Sequence, residues 1–128
     1  MEKNQQELIF KLSIFEQQIR QLQQQISAVD EGIVELETLD FGMDELKTSK
    51  GKEILAPVGR GIFIKAKVES EDLTVDVGQR IFVKKSVSET QETIKKQVER
   101  LKEAREELNR NLEEIGKEVE RVMRENQE

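Results

Sequence analysis

The stretch PVGRGIFIKAKV, residues 57–68, interrupts a highly charged chain with an apolar, strand-like segment. Five of its twelve residues are β-branched or aromatic, whereas charged residues make up 38% of the 128-residue sequence. Such residues favour β-strands. Short runs of similar character lie at residues 52–56, 73–77 and 80–85, and Gly, Pro or acidic residues separate them. The sequence therefore predicts two tandem β-hairpins, with the first turn at PVGRG and Pro57 at a strand end.

On both sides of the hairpins, apolar residues recur in alternating steps of three and four, the heptad spacing of a coiled coil. The N-terminal seam consists of Leu8, Leu12, Phe15, Ile19, Leu22, Ile26, Val29, Ile33 and Leu36. The C-terminal seam consists of Ile94, Val98, Leu101, Arg105, Leu108, Leu112, Ile115, Val119 and Val122. Because each helix needs a partner to bury its stripe, we predict an antiparallel intramolecular coiled coil with both chain ends at one tip.

These patterns predict a single α+β domain. We expect an N-terminal coiled-coil helix over residues 1–40, a linker over 41–51, two hairpins over 52–86 and a C-terminal helix over 87–128. Two registers of the coiled coil, one heptad apart, remain open. In one register Arg105 faces Leu22, and in the other it faces Val29. In either case we expect its stem to pack in the seam and its charged head to reach solvent.

The two hairpins are too small to form a stable sheet alone, and their open edges invite pairing. We therefore expect them to be an oligomerisation module whose missing partners come from other chains. The expected interface residues are Ile54, Leu55, Val58, Ile62, Phe63, Ile64, Val75, Val77, Ile81, Phe82 and Val83.

The composition argues against several classes of function. A formal net charge of −6 disfavours nucleic-acid and anionic-membrane partners. The basic residues Lys95, Lys96, Arg100 and Lys102 are interrupted by acidic ones, so a nucleic-acid-binding arm is the weaker interpretation. No apolar run approaches the roughly 20 residues of a membrane span. The absence of Cys suits a reducing compartment, and we expect a cytoplasmic protein.

The residue inventory also argues against an enzyme. The chain has no His and no Cys, so it lacks the commonest catalytic base and most zinc ligands. Gly59 and Gly61 begin like a dinucleotide loop, but Ile64 occupies the place of the third glycine. Asp40, Asp44 and Glu45 do not have the spacing of a calcium loop, and we interpret them as a solvated linker. We expect no cofactor and no metal.

The order of helix, two hairpins and helix resembles the alpha subunit class of the prefoldin family. The runs ILAPVGRGIFIKAKV and LTVDVGQRIFVKKS, residues 54–68 and 73–86, carry the resemblance. They match the family's Pro-containing turn, its strand ending in Lys-Ala and its later Val-Gly. The matching residues are Pro57, Gly59, Gly61, Phe63, Lys65, Ala66, Val77 and Gly78.

The resemblance implies an ATP-independent chaperone subunit in a hexamer of two alpha and four beta chains. In that family the hairpins of all subunits join an intersubunit β-barrel platform, from which the coiled coils project. The tips hold unfolded polypeptides and deliver them to a group II chaperonin. A structural relative that polymerises through its hairpins into filaments is the alternative.

Apolar residues that lie off the seam point to the tip independently of the family. In the N-terminal helix they are Ile9, Phe10, Ile14, Ala28 and Val34, and in the C-terminal helix Ala104 and Met123. Exposed apolar groups mark interaction sites, and Met suits promiscuous binding. With the neighbouring seam residues, the expected client-binding tip consists of Leu8, Ile9, Phe10, Leu12, Ile14, Phe15, Val119, Val122 and Met123.

Overall fold

A computed structural model describes residues 2–126 of the chain, and its elements are two long helices that flank four short strands. Helix α1 spans Glu2–Met43 and is followed by a 3₁₀ helix at Asp44–Thr48. The strands are β1 (Glu53–Gly59), β2 (Ile62–Lys67), β3 (Leu73–Asp76) and β4 (Phe82–Lys85). Helix α2 spans Val87–Glu125. The predicted α+β order of helix, two hairpins and helix is confirmed.

The chain divides into two compact units. The helical unit contains the chain up to Val34 and from Glu99 onwards, and the hairpin unit contains Glu35–Val98. In the helical unit every described seam residue is buried or half-buried, and Ile33 and Val122 are the most enclosed. The heptad spacing predicted from the sequence therefore corresponds to the apolar contact between α1 and α2.

Two contacts in the helical unit define the register of the antiparallel pair. Arg105 on α2 forms an ion pair with Asp30 on α1, and a Cβ placed on Gly32 would lie 3.3 Å from Leu101 Cδ1. Asp30 directly follows Val29. Arg105 therefore lies beside Val29, and this contact excludes the alternative register opposite Leu22, which is about two helical turns away.

Helix α1 extends to Met43, whereas the linker was expected to begin at residue 41. The heptad spacing continues beyond Leu36 through Asp40 to Met43, and Met43 is buried. Burial of this side chain favours continuation of the helix. Ser86 caps the start of α2: its Oγ accepts a hydrogen bond from the Glu89 N–H and donates one to Glu89 Oε1.

The first hairpin pairs β1 with β2 in antiparallel register, from Glu53 opposite Lys67 to Pro57 opposite Phe63. Pro57 was expected at a strand end, at the start of the turn PVGRG; it lies inside β1, two residues before the strand ends and directly before a register shift. Proline is tolerated there because the pairing is already irregular and its nitrogen has no hydrogen to donate. The turn is therefore shorter than predicted, and Arg60 at its centre adopts a left-handed φ of 52°.

The second hairpin pairs β3 with β4, and Val75 lies opposite Val83. Asp76 Oδ1 accepts a hydrogen bond of 2.9 Å from the Gly78 N–H at its turn, a local arrangement that favours chain reversal. Each hairpin forms a separate two-stranded sheet. Neither described helix contains a stretch that could span a lipid bilayer.

Candidate functional site

The residues expected at the tip divide into an enclosed set and an exposed set. Leu8, Leu12, Phe15 and Val119 are half-buried and Val122 is buried, because they belong to the seam. Ile9, Phe10, Ile14 and Met123 lie off the seam and are exposed, with Phe10 67% accessible. The seam residues thus hold α1 and α2 together, and the four off-seam residues leave apolar surface exposed to solvent.

A shallow groove runs beside the exposed tip residues. It is lined by Lys11, Ile14 and Phe15 from α1 and by Glu118, Arg121 and Val122 from α2. Its floor is apolar and its rim is charged. This combination suits an extended apolar segment flanked by polar groups, because the floor can bury side chains while the rim stays hydrated.

Arg121 organises the charged rim of this groove. Its guanidinium donates to Glu118 Oε2 at 2.7 Å and to Glu125 Oε1 at 3.1 Å. The hydrogen bond from Arg121 lowers the pKa of Glu118 below its usual value, and the same contact raises the pKa of Arg121. Since these groups are exposed, they contribute little to stability. They keep the rim charged at neutral pH.

The hairpins carry a second exposed apolar surface. Nine of the eleven expected interface residues are exposed, with Ile62 63% accessible: Ile54, Leu55, Val58, Ile62, Phe63, Ile64, Val77, Ile81 and Phe82. The other two, Val75 and Val83, are half-buried. On β1 and β2, the face with Ile54 and Ile64 is apolar and open, whereas the other face mixes Leu55 and Phe63 with Glu53, Lys65 and Lys67. Exposed apolar surfaces of this kind mark interaction sites.

A polar layer in the hairpin unit was not predicted from the sequence. Gln91 is buried, and its Nε2 donates to the main-chain oxygen of Asp40 at 3.1 Å and to Asp44 Oδ1 at 2.8 Å. The hydrogen bond from Gln91 to the Asp44 carboxylate is the main reason why the pKa of Asp44 lies below its usual value. Asp40, Asp44 and Glu45 were interpreted as a solvated linker. Asp44 and Glu45 are exposed, but Asp40 is half-buried and belongs to α1, and both Asp40 and Asp44 accept hydrogen bonds from Gln91 on α2.

The signal for this layer was present in the heptad spacing. Steps of four and three from Leu36 lead to Asp40 and Met43, and steps back from Ile94 lead to Gln91 and Val87. Two exposed apolar residues near the end of α1, Leu39 and Phe41, were also not predicted. Among residues 2–126, no three acidic side chains converge as metal ligands would.

Comparison with known proteins agrees with these elements. A family model described as "Prefoldin subunit" matches residues 15–128. The chain is 38% identical over 91 residues to prefoldin subunit alpha of Methanococcus maripaludis, covering 70% of this chain and 62% of that protein. It is 35% identical over 96 residues to prefoldin subunit alpha of Methanobrevibacter smithii, covering 74% of this chain and 66% of that protein. The chain thus spans less than two thirds of the length of these relatives.

Among solved structures, the chain is similar to that of a filamentous PFD from Methanocaldococcus jannaschii determined by cryo-electron microscopy. The TM-score is 0.80 at 28% identity, and the match covers 89% of this chain and 96% of the other. The family model covers most of the sequence, and the relatives named above are alpha subunits. The chain belongs to the prefoldin family, in its alpha-subunit class.

Proposed function

We propose that this chain is a subunit of an ATP-independent chaperone that captures unfolded polypeptides at the coiled-coil tip and delivers them to a group II chaperonin. Its partners in this proposal are beta-class prefoldin chains, in an assembly of two alpha and four beta subunits, and its setting is the cytoplasm. The observation that carries the proposal is the exposure of Ile9, Phe10, Ile14 and Met123 off the heptad seam.

The chemistry of the tip supports capture of unfolded chains. Unfolded polypeptides expose apolar side chains, and burial of one large side chain is worth about 1.5–3 kcal/mol. Met123 and Ile14 are flexible or branched aliphatic groups that adapt to many shapes, and Phe10 adds a large apolar area. Each contact is weak, but several subunits that act on one client multiply weak contacts into avidity.

The hairpins support assembly. A two-stranded sheet with both faces open is marginal in water, and the exposed Ile62, Phe63 and Ile64 would gain most from burial against strands of other subunits. In this proposal, the eleven expected interface residues on the strands form the platform with those of other subunits. The helices take no part in that platform, so their tip can bind unfolded polypeptides.

A filament is the second candidate assembly. The similar solved structure is of a filamentous PFD, and open hairpin edges that join head to tail produce open polymers instead of closed rings. In this alternative the same hairpin residues form the contacts between successive copies of the chain. Negative-stain microscopy of the chain, purified alone and after co-expression with beta-class prefoldin chains, distinguishes the two assemblies, because closed hexamers are small particles of uniform size and polymers are long fibres of variable length.

The functional test uses the assembled wild-type protein. The chain is co-expressed with beta-class prefoldin chains from the same genome, and the complex is added to a chemically unfolded client during dilution. The proposal predicts suppression of light scattering without nucleotide, and transfer of the held client to a group II chaperonin. A complex of the correct mass that leaves aggregation unchanged would contradict the proposed function.

A further inference from the structure

Methionine is the only residue type in this chain whose side chain undergoes reversible oxidation. The sequence has three methionines and no cysteine. Oxidants convert the methionine thioether to a sulfoxide, and specific reductases convert the sulfoxide back. Met1 lies outside the described residues, whereas Met43 ends α1 and Met123 lies in the last turn of α2. A response of the described chain to peroxide is therefore expected at Met43 and Met123.

These two methionines differ in their access to solvent. Met43 is buried, with 9% of its surface accessible, whereas Met123 is 44% accessible. Because an oxidant must reach the sulfur atom, oxidation of a side chain follows its exposure. Hydrogen peroxide should therefore oxidise Met123 faster than Met43.

Met123 also lies where oxidation changes the surface of the tip and not the contact between the helices. Its neighbour Val122 is buried in the seam, whereas Met123 lies off the seam with Ile9, Phe10 and Ile14 as the exposed apolar residues of the tip. The other three side chains are hydrocarbons, and hydrogen peroxide does not oxidise them. Within this exposed set, Met123 alone can change from apolar to polar in response to peroxide.

We propose that Met123 is a reversible oxidation switch, at which a peroxide weakens the capture of unfolded polypeptides. This inference rests on the proposed function of the tip and adds a regulation of that same site. A lone pair of the sulfur attacks one oxygen of hydrogen peroxide, and the O–O bond breaks. The attacked oxygen stays on the sulfur, and the other oxygen leaves as water. The sulfur thus loses two electrons, which the peroxide gains.

The sulfoxide weakens binding because its oxygen is a hydrogen-bond acceptor that water solvates well. An apolar segment of a client that covers Met123 would remove this water without supplying a donor, and burial of an unpaired polar group is unfavourable. The thioether of unmodified Met123 carries no such penalty, and its flexibility suits contact with varied apolar groups. Reduction of the sulfoxide restores the apolar surface.

The test compares the assembled protein before and after treatment with hydrogen peroxide, which gel filtration then removes. Peptide mass mapping gives the oxidised fraction of each methionine, and light scattering of reduced, guanidinium-unfolded lysozyme gives the protection. We expect Met123 to be oxidised roughly fivefold faster than Met43, or more. The concentration of assembly that gives half-maximal protection should rise about threefold. Treatment with methionine sulfoxide reductases and a dithiol should reverse this rise.

Two leucine variants identify the methionine that is responsible. For each variant the readout is the ratio of protection after peroxide to protection before it, so a different starting level does not affect the comparison. Met123→Leu should give a ratio close to one, because leucine has no sulfur to oxidise. Met43→Leu should lose protection as the wild type does. Peroxide should leave the assembled mass and the helical content of the wild type unchanged, because Met123 lies off the seam.

Three results would overturn the inference while leaving the proposed function intact. Unchanged protection after complete oxidation of Met123 would show that the tip tolerates the sulfoxide. A loss of protection that persists in Met123→Leu would assign the effect to another group of the assembly. A loss of assembled mass or helical content would mean that peroxide damages the fold instead of modifying the tip. If the untreated assembly gives no protection, both the proposed function and the switch are contradicted.

Discussion

Arg105 Nη1 lies 3.0 Å from Asp30 Oδ1, so the one charge that interrupts the predicted C-terminal seam is paired across the two helices. Both side chains keep substantial contact with solvent, since 36% of Arg105 and 49% of Asp30 are accessible. The stem of Arg105 therefore packs in the seam while its head reaches the edge, as expected for a long cationic side chain.

Replacement of Arg105 by Leu should raise the melting temperature of the chain by a few degrees. Exposed ion pairs contribute about 0–1 kcal/mol, whereas a leucine in the seam gains roughly 1.5–3 kcal/mol of apolar burial. Thermal unfolding followed by circular dichroism measures the change. The control is Asp30→Ala, which should cost less than about 1 kcal/mol. A clear loss of stability in Arg105→Leu would show that the ion pair outweighs apolar packing at this position.

Replacement by alanine should change stability differently at two helical glycines, Gly32 and Gly116. A methyl group placed on Gly116 would have no neighbour within 4 Å, so Gly116→Ala should raise stability by about 1 kcal/mol through helix propensity alone. At Gly32 the new methyl group would lie 3.3 Å from Leu101 Cδ1, and part of that gain should be lost to the tight contact. Chemical denaturation of both variants gives the comparison. A larger gain in the free energy of unfolding at Gly32 than at Gly116 would contradict the close contact between Gly32 and Leu101.

Gln91 should stabilise the junction between α1 and the hairpins. Its amide donates two hydrogen bonds, to Asp40 and Asp44, and Gln91 is only 8% accessible. Truncation by Gln91→Ala should lower the free energy of unfolding by about 1–2 kcal/mol. The reason is that the main-chain oxygen of Asp40 and Asp44 Oδ1 lose their hydrogen-bond donor where the protein limits access of water. Chemical denaturation measures the loss. An unchanged free energy would mean that water replaces both bonds without cost.

Asp44 should make the stability of the chain depend on pH in the acid range. The hydrogen bond from Gln91 lowers the folded-state pKa of Asp44 below its usual value of 3.8. Ionised Asp44 therefore adds to the free energy of unfolding above pH 3.8. This contribution is lost as the pH falls through the lower pKa of the folded state. Asp44→Asn keeps an oxygen that can accept from Gln91 but cannot titrate, so its acid unfolding curve should be flatter than that of the wild type.

Three substitutions on the strands should separate assembly from folding. Ile62, Ile64 and Ile81 are exposed in the single chain, so their replacement by Lys should abolish oligomers while leaving the helical content largely intact. Native mass measurement and circular dichroism provide the two readouts. The charge-matched control is Gln17→Lys/Gln21→Lys/Gln24→Lys on exposed positions of α1, which should assemble normally. An unchanged mass in the strand variant would exclude these residues from the interface.

The sequence predicted the coiled coil well because the heptad repeat places apolar side chains at nine positions in α1 and at eight of nine in α2. Two hairpins were equally predictable from alternation and turn residues. The layer of Asp40 and Gln91 was not predicted, because a polar residue at a seam position looks the same in sequence as one on the solvated face. The register also required the structure, because the heptad pattern leaves two pairings open and the contacts of Arg105 with Asp30 and of Gly32 with Leu101 distinguish them.

The turn of the first hairpin illustrates a different limit. Proline is usually excluded from the interior of paired strands, so Pro57 was expected at a strand end, at the start of the turn PVGRG. The structure accommodates Pro57 inside β1 because the pairing register shifts between Pro57 and Gly59. A β-bulge of this kind depends on the geometry of both strands together. The alternation of residues within one strand therefore does not predict the β-bulge.

The central claim, that the tip captures unfolded polypeptides, is tested most directly by Phe10→Ser/Ile14→Ser/Met123→Ser in the assembled protein. These three side chains are exposed and lie off the seam, so the coiled coil and the assembly should not need them. The control is Val34→Ser/Leu39→Ser, which removes exposed apolar surface elsewhere on α1.

The measurement is light scattering of a chemically unfolded client during dilution, with wild-type, tip-variant and control assemblies at equal concentration and without nucleotide. We expect the tip variant to protect the client markedly less than the wild type, with a loss that grows as more subunits carry the change, and the control to protect normally. If the tip variant has an unchanged assembled mass and protects as well as the wild type, the exposed residues of this tip do not bind clients.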